Sequence, residues 1–120
     1  MSSPRYDWWS YAKGMTRRYP QLKQQAQALG VGADGEAVLQ GFPRIRMREL
    51  AAVQQALDQI GQLHRGPERL QMIRMVYWNR SHTLVGAALR LGISEMTAKR
   101  WNGEFLRAVG RAFGLMDGLE

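Results

Sequence analysis

The segment LVGAALRLGISEMTAKRW, Leu84 to Trp101, constrains the fold of this chain more than any other stretch. Its apolar residues recur at three- and four-residue spacing, the period of a helix with one buried face, and Gly92 interrupts that period midway. Two short helices that cross closely need a small residue at the crossing and a glycine able to enter the turn. They also need an apolar residue after the turn and an apolar side on the second helix. Ala88, Gly92, Ile93, Ala98 and Trp101 meet these demands in order. Ser94 offers a side-chain oxygen to the free N–H groups that open the second helix. The spacing therefore predicts a helix-turn-helix at about residues 81–107.

Strand-like alternation is scarce elsewhere, so the expected fold is all-α, a helical domain with a C-terminal helix-turn-helix. Trp8, Tyr11, Ala12, Met15 and Tyr19 line one side of a segment from about Asp7 to Arg18. Pro20 is expected to restart the helix, because proline suits a first helical position, and the continuation stops at Gly30. Residues 1–29 thus read as an N-terminal helical arm. The run GVGADGEAVLQGFP makes residues 30–44 a glycine-rich linker. Residues 45–120 form the main helical domain. Within it, Leu50, Val53, Leu57 and Ile60 make an apolar stripe along residues 45–64, to be packed on the C-terminal unit or on a second copy in a homodimer. The next helix runs from Pro67 to about Arg80 with Leu70, Ile73, Val76 and Tyr77 on one side. Thr83 or Ser81 is expected to cap its successor.

Charge points to the partner. The chain carries +7 at a pI near 10.6, which favours an anionic partner, nucleic acid ahead of a membrane surface. With Ile93, Ala98, Trp101 and Phe105 turned inward, the helical wheel directs Glu95, Met96, Lys99, Arg100 and Asn102 or Gly103 outward or to the flank. The N-terminal end of such a helix is the part that enters a major groove. Lys99 and Arg100 are the leading expected contacts, to phosphate or to guanine edges. Ser94, Thr97 and Asn102 are expected polar members of the same face, with Arg80, Arg90 and Arg107 at the phosphate rim. Glu95 either accepts from cytosine or favours the positive helix end. Double-stranded DNA is the expected partner and sequence-specific transcriptional regulation the expected role, with the N-terminal helices mediating self-association or contact with transcription machinery. Two rival readings are a small terminase-like packaging subunit that forms a ring on viral DNA, and a helical adaptor that binds only protein.

From Arg69 onward, RLQMIRMVYWNRSHTLVGAALRLGISEMTAKRWNGEFLRAVGRAFGL resembles the C-terminal part of the RinA-type phage transcriptional activators, whose helix-turn-helix is similar to region four of sigma factors. The YW near the end of one helix, the SHTL start, and the T-x-x-RW recognition helix followed by F carry the likeness over about forty-five residues. The upstream WWSYAKGMTRRYPQL is similar to the aromatic N-terminal segment of that family. The resemblance implies a phage or prophage regulator that activates late or packaging genes with host RNA polymerase, in the bacterial cytoplasm.

Other features are read as structural. Without cysteine the chain has no disulfide, thiolate metal site or thiol nucleophile. His64 and His82 lack neighbouring ligands at metal-binding or general-base spacing, and turn or cap roles are expected for both. The glycines of residues 30–35 lack the Lys-Ser/Thr of a phosphate loop. Trp8 and Trp9 are expected in the core rather than as a partner anchor, and Arg17-Arg18 on a solvated face. No paired carboxylates or nucleophile–base set occurs at workable spacing, so neither an enzyme nor a cofactor is expected. No run of eighteen apolar residues or signal-peptide core is present, and a soluble cytoplasmic protein without a membrane partner is expected.

Overall fold

The computed structural model describes residues 5–29 and 43–115, and every element in them is helical, so the fold is all-α. In chain order the elements are α1 (Arg5–Ala28), α2 (Arg44–Gly61), α3 (Gly66–Ile73), a π-helical turn (Arg74–Trp78), α4 (Leu84–Leu91) and α5 (Glu95–Phe113). Most of the expected linker, residues 30–42, lies outside the described residues. Its last two expected positions belong to α2, for which Pro43 is the extended N-cap and Arg44 the first residue.

α1 departs from the sequence reading in two ways. It runs through Pro20 without restarting. Proline at that position deprives the Thr16 carbonyl of its helical N–H partner, and the Trp78 indole N–H donates to that carbonyl instead, at 2.8 Å. The vacated acceptor is satisfied from an element sixty residues away, so the helix need not break. Nor is α1 an arm: Ala12, Met15 and Tyr19 are buried in one cluster with Val53, Ile60, Met72, Ile73, Trp101, Phe105 and Val109. Its far end forms a small second cluster, Leu22 and Ala26 packed with Leu29, Met47 and Leu50. Trp8 and Trp9 are half-buried against the main core, as expected.

α2 lies along α5, the most extensive helix pairing in the fold. Val53 and Ile60 of the expected stripe are buried and Leu50 and Leu57 half-buried, so this stripe is covered within the chain. Ala52 and Ala56 complete the buried side and allow close approach. Glu49 is also fully buried. Tyr11 donates its hydroxyl to this carboxylate, Arg18 reaches it at 3.0 Å and Arg46 at 2.6 Å. Arg18 is therefore not a solvated cation but one half of a tie between α1 and α2.

The expected helix from Pro67 to Arg80 is α3 followed by the π turn, closed by the Asn79 N–H on the Arg74 carbonyl at 2.7 Å. The wider turn changes which way its last side chains face. Tyr77 is directed at α5 and Trp78 at α1, where its ring stacks on Tyr19 at 5.6 Å.

Candidate nucleic-acid interface

α4 ends because Gly92 adopts φ 70° and ψ 33°, a left-handed conformation that costs glycine little. The Ile93 N–H then returns to the Ala88 carbonyl at 3.0 Å, so the chain reverses within three residues and α5 begins at Glu95. Side chains cap both helices. Thr83 accepts from the Gly86 N–H at 3.0 Å and Ser94 from the Thr97 N–H at 3.0 Å. Of the two expected caps of α4, Thr83 is the one used, while Ser81 lies 2.8 Å from a ring nitrogen of His82.

The inward face of α5 matches the wheel at Ala98, Trp101 and Phe105, all buried, and Ile93 packs on the same core half-buried. Arg69 fixes the roll of the helix. Its guanidinium lies over the Trp101 ring at 5.0 Å, pairs with Glu104 at 2.6 Å, and donates through Nε to the His64 carbonyl at 2.8 Å. Arg65 stands over the same ring at 5.5 Å while its fork holds Glu68. Two cations thus face the Trp101 ring, and Arg69 ties α5 to the start of α3.

That orientation leaves Glu95, Met96, Lys99, Arg100, Arg107 and Arg111 exposed. At 100° per residue, Met96, Arg100, Arg107 and Arg111 fall within one narrow stripe along the helix. Among the described residues, the acids beside the stripe are engaged: Glu104 by Arg69, and Glu95 by Lys99 at 3.0 Å. Arg90, in the last turn of α4, and Arg80, at φ 53° beyond the π turn, are also exposed. The Ser94 hydroxyl is committed to capping and donates to Thr97 Oγ1 at 2.9 Å, and Thr97 is half-buried.

Two expectations are corrected. Asn102 is not on the exposed face: it is 8% exposed, and its side-chain oxygen accepts from the Tyr77 hydroxyl at 2.5 Å. Gly103 is also buried, and a Cβ there would approach the Arg107 guanidinium to 3.3 Å. For Asn102 the wheel contains no information about the π turn, whose Tyr77 meets it, and beside Gly103 stands the Arg107 side chain of the same helix. Conversely, sequence reasoning omitted Arg111, although its i+4 spacing from Arg107 was a usable signal. It also missed Arg69, whose role depends on partners thirty-five residues away.

His64 is exposed in the turn after α2, and among the described residues no three His, Cys, Asp or Glu side chains are grouped to hold a metal. No helix among the described residues is long and apolar enough to cross a membrane. Comparison with protein-family models, with curated proteins and with solved structures gave no match.

Proposed function

We propose that α4, the Gly92 turn and α5 form a DNA-docking helix-turn-helix, and that the chain is a sequence-selective transcription regulator. The observation that carries this reading is the outward stripe of α5, where Arg100, Arg107 and Arg111 are exposed and, among the described residues, have no acid partner, while the neighbouring acids Glu95 and Glu104 are bonded to cations of the same chain. Such a stripe has the sign that phosphates require. Each arginine that meets a phosphate releases condensed counterions, which drives association. The first turns of α5 enter the major groove, where Arg100 reads a guanine edge through its planar fork and Lys99 reaches phosphate. Arg90 and Arg107 hold the rim. The likeness to the RinA-type activators supports the narrower role of a phage or prophage late-gene activator acting with host RNA polymerase.

The test is selection of duplexes from a random pool by the full chain, followed by affinity measurements across a salt series. Selected duplexes should bind more weakly as salt rises, with log K falling linearly against log salt. Alanine at Arg107 or Arg111 should reduce that slope by about one each, whereas Arg100→Ala should cost about 1–3 kcal/mol and relax the preference at one base pair. A salt-independent affinity, or no enrichment of any duplex, overturns the reading.

A further inference from the structure

The outward stripe of α5 contains one residue whose chemistry the electrostatic account does not use. Met96 is 77% exposed in the first turn of the helix, one turn before Arg100, and its neighbours on the stripe are arginines. Among the described residues nothing calls for an apolar side chain there. It packs in neither hydrophobic cluster, and the cap of α5 is completed by Ser94 and Thr97 without it. An apolar group left in water within a basic stripe fits a ligand that is anionic overall but carries an apolar group at its centre. The major-groove edge of a base pair offers one such group, the C5 methyl of thymine, among donors and acceptors that a thioether chain cannot match.

Resting on the DNA-docking reading above, we infer that Met96 is a specificity-determining residue that reads a thymine methyl. The flexible, polarizable side chain suits such a contact, because it can follow the groove floor without a fixed rotamer. Geometry also limits where the thymine lies. Four residues of helix advance about 6 Å, and successive base pairs stand about 3.4 Å apart. The thymine is therefore expected within about two base pairs of the guanine met by Arg100.

The experiment uses the duplex selected by the full chain. Each thymine is replaced in turn by deoxyuridine, which removes only the methyl group. At one position the substitution should weaken binding by wild-type protein about fourfold, the effect of one buried methyl group. Met96→Ala should show no further loss at that position, whereas Met96→Leu should retain most of it. Because the side chain is exposed, both variants are expected to unfold at the wild-type denaturant midpoint, which separates a contact from a fold defect. Sequence-selective binding that is indifferent to deoxyuridine at every position, or equally sensitive in Met96→Ala, overturns this inference alone. Failure to bind any duplex overturns the DNA-docking reading together with it.

Discussion

The indole N–H of Trp78 donates to the carbonyl of Thr16, the one backbone acceptor that Pro20 leaves without a helical partner. The Thr16 hydroxyl additionally bonds the Ala12 carbonyl at 2.8 Å, so two non-standard bonds occupy consecutive turns of α1. Trp78→Phe should therefore cost about 1–3 kcal/mol, because a buried acceptor is orphaned as well as a ring trimmed. Pro20→Ala restores a helical N–H, and in the Trp78→Phe background it should recover more stability than in the wild type. A double-mutant cycle from urea denaturation measures this coupling, and strict additivity would show that the two residues do not share the carbonyl.

Tyr77 and Asn102 form a second buried tie, joining the π turn to α5 at 2.5 Å. Burial raises the Tyr77 pKa above its ordinary 10.0, against the lowering influence of Asn102 and Arg17, so the pair is neutral throughout the physiological range. Tyr77→Phe should destabilise by about 1–2 kcal/mol through the unpaired amide oxygen. Asn102→Ala should destabilise as well. Under conditions where each variant is fully folded, its affinity for selected duplex DNA should equal that of wild type. A selective loss of affinity for Asn102→Ala would return that residue to the contact face.

These two ties also show where sequence reasoning reaches its limit. Caps and turns were legible, since Thr83, Gly92 and Ser94 act on backbone groups within a few residues of themselves. The apolar faces of α2 and α5 were legible for the same reason, because one period defines them. What escaped depends on a partner far along the chain: the passage of α1 through Pro20, the inward turn of Asn102, and the burial of Glu49. For the candidate interface, the exposure of Lys99 and Arg100 followed from the wheel. The neutralisation of Glu104 by Arg69 did not, because it crosses between elements.

Gly92 and Gly66 should respond differently to alanine. At Gly92 nothing lies within 4 Å of an added Cβ, so Gly92→Ala pays only for its positive φ, about 1 kcal/mol. Gly92→Asn should cost less, as asparagine tolerates that conformation. A Cβ at Gly66 would stand 2.0 Å from the Gly61 carbonyl oxygen, backbone that has no free rotamer to move away. Gly66→Ala should displace the α2–α3 turn and lower the midpoint of thermal unfolding well beyond Gly92→Ala. Equal losses at the two sites would contradict the turn geometry.

Glu49 gives the fold an acid-sensitive tie. Burial raises its pKa, but hydrogen bonds from Tyr11 and Arg46 and the charges of Arg18 and Arg46 outweigh burial and leave it below the ordinary 4.5. A depressed carboxylate pKa means that its stabilisation is complete above the unfolded value and is lost as pH falls through the folded one. Glu49→Gln should therefore be less stable than wild type near neutrality, by about 2 kcal/mol. The difference should shrink as pH is lowered from about 4.5, so that the variant shows a shallower acid limb. Urea midpoints collected for both proteins between pH 7 and pH 3 decide the matter, and parallel curves would exclude Glu49 as the titrating group.

On the DNA-docking reading, Glu95 acts as a brake on Lys99. The pair is exposed and spans one turn at 3.0 Å, so breaking it should change stability by no more than about 0.5 kcal/mol. Its effect on binding should be larger, since the carboxylate both occupies the ammonium group and repels nearby phosphates. Glu95→Gln is expected to tighten binding to duplex DNA several-fold at low salt and to steepen the salt dependence, because one more cation becomes available to phosphate. Lys99→Ala should weaken wild-type binding less than Arg100→Ala, whose guanidinium has no acid to leave among the described residues. Combining Glu95→Gln with Lys99→Ala should abolish most of the gain, which distinguishes release of Lys99 from the mere loss of a negative charge. Weaker binding by Glu95→Gln would instead identify Glu95 as a direct acceptor from a base, most simply the amino group of cytosine.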